Sequence, residues 1–281
     1  MSYDYTLITN TDDVALDPIS QMVQEIYQKQ AVLSLSVLQG SHEMGADSAS
    51  YPRAAGFTAE AIPTDSNGLN AQAIDWAVDK LDFDKDFGVL VDAKWRAMDH
   101  SVINQQAEIM KRQTLALVKQ MEVSVYTALA TVSASAPDHK IAFGTSGVIA
   151  LSDILGAIKL LDDQELPDED RFIAVNQKQY SQLLALGDFI DASKYGSNQA
   201  IMNGEIGMIY GLRVLKTPRV TADTALVYHR DSVVFARDEQ MAFEEQKDLV
   251  KVTRKMLMTA RWGVKTLDLG RRGVLLNNSG S

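Results

Sequence analysis

Hydrophobic positions recur along this chain with two periods. The longer pattern is Ile103, Ala107, Met110, Thr114, Leu117, Met121, Val125, Ala128 and Val132, at steps of three or four. That spacing draws one stripe along a helix and predicts a helix over about 100–133, with Asp99 as a suitable N-cap and Pro137 beyond its end. Lys111, Arg112, Lys119, Gln120 and Glu122 fall off the stripe and read as its wet side. At about 1.5 Å per residue the helix spans roughly 50 Å. Few compact domains need such a length, so it reads as a beam on which other parts lean.

The second period is two. Val250, Val252, Met256, Met258, Ala260, Trp262 and Val264 alternate with Lys251, Thr253, Lys255, Thr259, Arg261 and Lys265, with Arg254 and Leu257 breaking the pattern. This predicts a half-buried strand. Leu81–Val91 also alternates and reads as one strand, the return limb of a long excursion over 46–90. The outgoing limb, Ala49 to Ile62, carries Pro52 and Gly56, which weaken a ladder. Between the limbs Pro63-Thr64-Asp65-Ser66-Asn67-Gly68 is a dense turn signal. A two-stranded loop of this kind is marginal alone. It is expected to be mobile in a free subunit, open to proteases at Asn67-Gly68, and to bury Phe57, Ile62 and Ile74 against a neighbour.

Residues 141–236 mix the two periods. Ser152 is a candidate cap for a helix carrying Ile154, Leu155, Ile158 and Leu161. Arg171–Val175 reads as a short apolar strand, and Asn176 as the cap of a helix reaching Leu186. A long loop from Gly187 to Gly204 suggests an interface role. Ile209–Thr217 and Ala225–Ala236 read as strands. Near the N-terminus, Asp17-Pro18 can open a short amphipathic helix with Ile19, Met22, Val23 and Ile26, which reads as an arm ordered by docking.

Composition narrows the chemistry. The 281 residues are 46% hydrophobic and 23% charged, enough apolar material for a core without staples. There is no cysteine, which removes disulfides, thiolate metal sites and a cysteine nucleophile. The first residues lack a basic patch followed by an apolar run, and no stretch reaches the ~20 apolar residues of a membrane span. A net charge of -10 argues against tight nucleic-acid binding, which runs on lysine and arginine facing phosphates.

Candidate catalytic groups are sparse. Asp82, Asp84 and Asp86 imitate the start of a calcium loop, but Phe87 and Ala93 stand where glycine and glutamate are required. Asp162, Asp163, Glu165, Asp168, Glu169 and Asp170 surround Pro167 and could serve a hydrolase, but read better as a hydrated loop. His42, His100, His139 and His229 have no metal-ligand spacing. Gly204, Gly207 and Gly211 miss the dinucleotide fingerprint. The residues call for no cofactor, metal or catalytic group.

The order of these parts resembles the major capsid fold of tailed bacteriophages. Leu81–Asp92 resembles that family's segment leading from the E-loop into the spine helix. Gly204-Glu205-Ile206-Gly207-Met208-Ile209-Tyr210-Gly211-Leu212-Arg213-Val214 is similar to its glycine-punctuated stretch before an A-domain strand, and Gly270–Leu276 to its closing strand. The resemblance implies an α+β fold: N-terminal arm and lead-in over 1–45, extended E-loop over 46–90, P-domain spine helix over 91–140, α/β A-domain over 141–236, and P-domain closing strands over 237–281. It implies a major capsid protein, not an enzyme, whose copies form hexamers and pentamers of an icosahedral shell around double-stranded DNA. The shell is expected to assemble in the host cytoplasm, without sequence-specific DNA binding or a membrane. The short arm leaves no room for a fused scaffolding segment, so a separate scaffolding protein, a portal and possibly a decoration protein are the expected partners. The family places the tip of the A-domain lobe at a capsomer's local axis, so Lys194, Tyr195 and Ser197 would approach their symmetry copies. An encapsulin-type nanocompartment shell is the alternative within the fold. A carboxylate-dependent hydrolase built on the acidic loop is the alternative outside it.

Overall fold

The computed structural model describes residues 31–40, 47–54, 59, 71–94, 105–134, 138–144, 147–185, 205–237 and 241–278. Two sheets lie along one long helix. The first is organised by β12 (Thr253–Thr266). Its C-terminal part pairs antiparallel with β10 (Val233–Arg237) and its N-terminal part with β11 (Ala242–Asp248). β4 (Lys85–Lys94) pairs along Thr253–Trp262, and β1 (Leu38–Gln39) adds a parallel edge to β10. The second sheet has six strands in the order β5, β13, β9, β6, β8, β7. These are β5 (Lys140–Ala142), β6 (Arg171–Val175), β7 (Glu205–Ile209), β8 (Leu212–Lys216), β9 (Thr224–His229) and β13 (Gly273–Asn277). The two-period reading of β12 holds from Met256 on: Met256, Met258, Ala260 and Trp262 are buried. It fails before Thr253, because Val250 and Val252 lie in the turn from β11 and are exposed.

The long helix, α2, is described over Gln105–Ala130; its short predecessor α1 is Leu33–Ser36. Met110, Thr114, Leu117, Met121 and Val125 are buried, as the stripe required. They meet Met258, Ala260 and Trp262 of the first sheet and Phe172, Leu226 and Tyr228 of the second in one cluster. The helix therefore joins both sheets. Its 26 described residues span about 39 Å; positions 100–104 lie outside the described residues. It stops at Ala130 and not at Ser133. A tertiary contact ends it, since the N–H of Ser133 donates to the carbonyl of Gly270 at 3.2 Å. Gly270 has φ +77°, and a Cβ there would strike the backbone of Thr131–Ser133.

Several boundaries differ from the sequence reading. Leu81–Val91 is not one strand. β3 (Trp76–Asp82) is the return limb and pairs antiparallel with β2 (Ser48–Ala54), whereas β4 starts at Lys85 and belongs to the sheet of β12. Nor is the 46–90 excursion held only by a neighbour. Leu81 and Phe83 are buried with Val234, Ala236 and Leu267, and Ala49 and Tyr51 pack on them. Ala225–Ala236 is two strands in different sheets, split by a short 3-10 turn at Arg230–Ser232. Ile209–Thr217 contains a hairpin turn at Tyr210–Gly211, both with positive φ, the geometry of a two-residue connection. β13 pairs into the six-stranded sheet rather than that of β12.

Two helices flank the second sheet's core, α3 (Leu151–Asp162) and α4 (Gln177–Ala185). Ser152 lies inside α3 and does not cap it; Asp153 Oδ2 accepts the N–H groups of Ala150 at 2.9 Å and Gly144 at 3.0 Å. Asn176 stands at the start of α4, its carbonyl accepting the N–H of Tyr180 at 2.8 Å and its Oδ1 the N–H of Gln177. Glu122 is the largest departure. The stripe put it on the wet side of α2, yet it is 2% exposed. Among the described residues no helix is long and apolar enough to cross a membrane.

Candidate assembly surface

The β2–β3 ribbon has two unlike faces. Its inner face carries Leu81, Ala49 and Tyr51 against the first sheet. An ion pair from Arg53 to Asp268 fastens it, and Asp79 Oδ2 accepts the N–H of Asp268 at 3.2 Å. Gly263 of β12 lies against the carbonyl of Asp82 so closely that a Cβ would sit 2.6 Å away. The outer face shows Ile74, Trp76 and Val78 at alternate positions, 59%, 63% and 58% exposed. Val78 stands opposite Pro52 in the ladder. Trp76 and Val78 on the exposed strand face, with Ile74 in the segment just before it, mark a contact surface.

A second apolar projection is the turn joining β11 to β12. Leu249 and Val250 are almost fully exposed. Asp248 Oδ1 accepts the N–H groups of Val250 and Lys251, both at 3.1 Å, and its other oxygen pairs with Lys255 at 3.3 Å. These bonds hold the Asp248 carboxyl below its ordinary range. The turn thus offers its apolar side chains from a hydrogen-bonded frame. Between α2, β4 and β12 lies an open groove of about 820 Å³, bordered by Phe87, Val123, Thr127, Val264 and Leu269, with Asp84 and Asp86 at its rim. Phe87 stacks on Trp262 at 4.9 Å below it.

The acidic loop is organised by ion pairs. Arg171, 3% exposed, donates to Asp162 at 2.6 Å and to the carbonyls of Leu166 and Pro167. It also pairs with Asp168 at 3.1 Å. Arg213 and Arg230 pair with Asp170. Asp162 and Asp168 thus hold the loop to Arg171, and Asp170 holds it to two further arginines. Asp82, Asp84 and Asp86 are exposed. Among the described residues no three histidines, aspartates or glutamates form a metal-sized cluster. Buried His229 accepts the N–H of Asp231 through Nδ1 at 3.2 Å, and burial pushes its pKa down.

Of the expected contact residues, Phe57, Ile62, Asn67, Gly68, Lys194, Tyr195 and Ser197 lie outside the described residues, as do the arm helix and the 187–204 loop. Ile74 is described and exposed. The sequence reading does not name Trp76, Val78 or Leu249 as contacts, and it places Val250 on a half-buried strand although it is exposed. The alternation Ile74-x-Trp76-x-Val78 was the available signal for the first pair. For the second there was none, because Val250 continued the pattern of β12.

A family model described as phage capsid protein matches residues 88–277. No curated protein matches the chain by sequence. Among solved structures, a chain of Mycobacterium phage Che8 is 16% identical, with a TM-score of 0.71, covering 90% of this chain and 93% of that one. A chain of Microbacterium phage Oxtober96 is 15% identical, with a TM-score of 0.69 and coverage of 88% and 91%. A capsid chain of a native GTA particle is 15% identical, with a TM-score of 0.66 and coverage of 88% and 89%. At these identities the likeness is one of fold.

Proposed function

The chain belongs to the phage capsid protein family and is a major capsid protein, and from that premise we propose how its copies build a wall. The family match over 88–277 is the observation that carries the reading. The mechanism is association rather than catalysis. Each subunit meets several neighbours in a closed shell, so modest contacts sum. The ribbon's outer face, with Ile74, Trp76 and Val78, is one such contact, and the β11–β12 turn is another. Burying an exposed tryptophan and its flanking aliphatics at a contact supplies the kind of anchor that dominates interface energies.

The finer parts of this reading rest on the family resemblance. They are hexamers and pentamers around double-stranded DNA, assembly in the host cytoplasm, a separate scaffolding protein, a portal and a decoration protein. The division into arm, E-loop, spine, A-domain and closing strands belongs with them. So does the contact of Lys194, Tyr195 and Ser197 with their copies, which a Ser197→Cys cross-link within one capsomer tests. Electron microscopy of the purified protein, with and without a co-expressed scaffold, tests the whole. Capsomers or closed shells are expected. A species that stays monomeric by light scattering at high concentration, with scaffold present, overturns it.

A further inference from the structure

Residues 31–40 form a strap that crosses α2 and ends as β1 on the edge of the first sheet. Three fastenings hold it. Glu122 Oε2 accepts the N–H of Leu33 at 2.8 Å, and Oε1 accepts that of Ser34 at 2.8 Å. The Ser36 hydroxyl meets that of Tyr228 at 2.6 Å. Leu38 and Gln39 pair with Val234 and Phe235. No side chain of the strap caps α1; a carboxylate from α2 does so instead, satisfying N–H groups that a helix start leaves open.

The setting of Glu122 is unusual for a charge. It is 2% exposed, and among the described residues no cation forms an ion pair with it. The strap, Ala31 to Gly40, has no ionisable side chain. β9 contributes Tyr228, whose hydroxyl burial pushes its pKa up, so it stays neutral. His229, next on β9, lies beside Asp231 at 3.8 Å and not beside Glu122. Lys119 and Arg219 line with Glu122 a cavity of about 310 Å³. Glu122 is thus a buried carboxyl whose pKa burial raises.

We propose that Glu122 is a proton-operated clasp, whose carboxyl sets how firmly strap 31–40 is held on the long helix. With the strap down, burial raises the carboxyl's pKa, and the hydrogen bonds from Ser34, Leu33 and Val32 lower it without cancelling the rise. With the strap off, water reaches the carboxyl and its pKa returns toward 4.5. The strap-down state therefore binds the proton more tightly. By linkage the strap is held most firmly below that ordinary value. Its hold weakens as pH rises toward the raised value, and above it the strap covers an ionised carboxylate. The strap leads into the ribbon that carries Trp76, so the clasp ties a titration to the segment entering an assembly surface. It does not depend on what that surface binds.

Hydrogen exchange of peptides covering 31–40, in the full chain over a series of pH values and corrected for intrinsic rates, tests this. Protection should fall as pH rises from below 4.5, by about tenfold for each unit separating the carboxyl's pKa in the two states. Glu122→Gln should remove that pH dependence. Ser36→Ala, which cuts the fastening to Tyr228, should lower protection at every pH and keep the dependence. Protection that is flat with pH in the unsubstituted protein overturns the proposal, as does a dependence that persists in Glu122→Gln. If Glu122→Gln does not fold, Glu122→Asp, which shortens the reach to Leu33 and Ser34, replaces it, and a pH profile like the unsubstituted protein's overturns the proposal.

Discussion

Met121 sits where the long helix touches both sheets, and its replacement by aspartate tests that arrangement most directly. Its side chain is fully buried among Leu117, Val118, Val125, Tyr228, Phe235 and Trp262. Truncation to alanine removes the thioether and leaves a cavity, at a cost of about 2–5 kcal/mol. Aspartate removes the same atoms and adds a carboxylate with no partner, at a further cost of several kcal/mol even after it protonates. The sum rivals the ~5–15 kcal/mol stability of a typical domain. Met121→Asp should therefore fail to fold, and Met121→Ala should fold with a clearly lowered urea midpoint. Lys119→Ala, two residues away on the exposed side of the helix, should stay within about 0.5 kcal/mol. Urea titration followed by far-UV circular dichroism reads all three. Equal midpoints for Met121→Asp and Lys119→Ala would refute the placement of this helix at the joint of the two sheets.

Arg171→Ala should cost about 2–4 kcal/mol, because the carbonyls of Leu166 and Pro167 lose their donor; its ion pairs reach exposed carboxylates and add little. Arg171→Lys should recover only part of this in thermal unfolding, since lysine lacks the fork. Gly270→Ala should be more disruptive than a surface glycine change, given its φ of +77° and the backbone of Thr131–Ser133 against it; a melting temperature like the parent's would contradict that. The double variant Trp76→Ser, Val78→Ser should leave subunit stability within about 0.5 kcal/mol and reduce assembly measured by sedimentation. Because burial lowers the pKa of His229 from 6.5, the unfolded chain takes the proton first. Stability should fall as pH drops below about 6.5, and His229→Gln should flatten that part of the urea-midpoint profile.

Local pattern was enough for elements with one periodic face. The stripe through Met110, Leu117, Met121 and Val125 identified the long helix, and alternation from Met256 to Trp262 identified the central strand. Arg171–Val175 was legible as an apolar run because both its faces are buried. The order of these parts, with short glycine-rich phrases, carried the family resemblance. The site was less legible. Ile74 was named, but Trp76 and Val78 were not, because a sequence does not say which face of a ribbon its own subunit covers.

Tertiary structure decided where patterns stop and which partners they take. Leu81–Val91 alternates apart from Lys85 and Leu90, and that pattern does not show that the chain changes sheets at Phe83–Asp84, where the ribbon turns back onto Val234 and Leu267. Ala225–Tyr228 and Val233–Ala236 are apolar runs buried in different sheets, and the polar His229-Arg230-Asp231-Ser232 between them marks a break but does not say that the chain crosses to another sheet there. Val250 and Val252 keep the period of β12 but lie in a turn, because β11 pairs with β12 only from Thr253 on. Glu122 belongs off the stripe by its spacing. Only a segment nearly ninety residues away, whose Leu33 and Ser34 N–H groups donate to its carboxyl, covers it. Periodicity records which side of one element avoids water; what covers the other side depends on contacts between residues far apart in sequence.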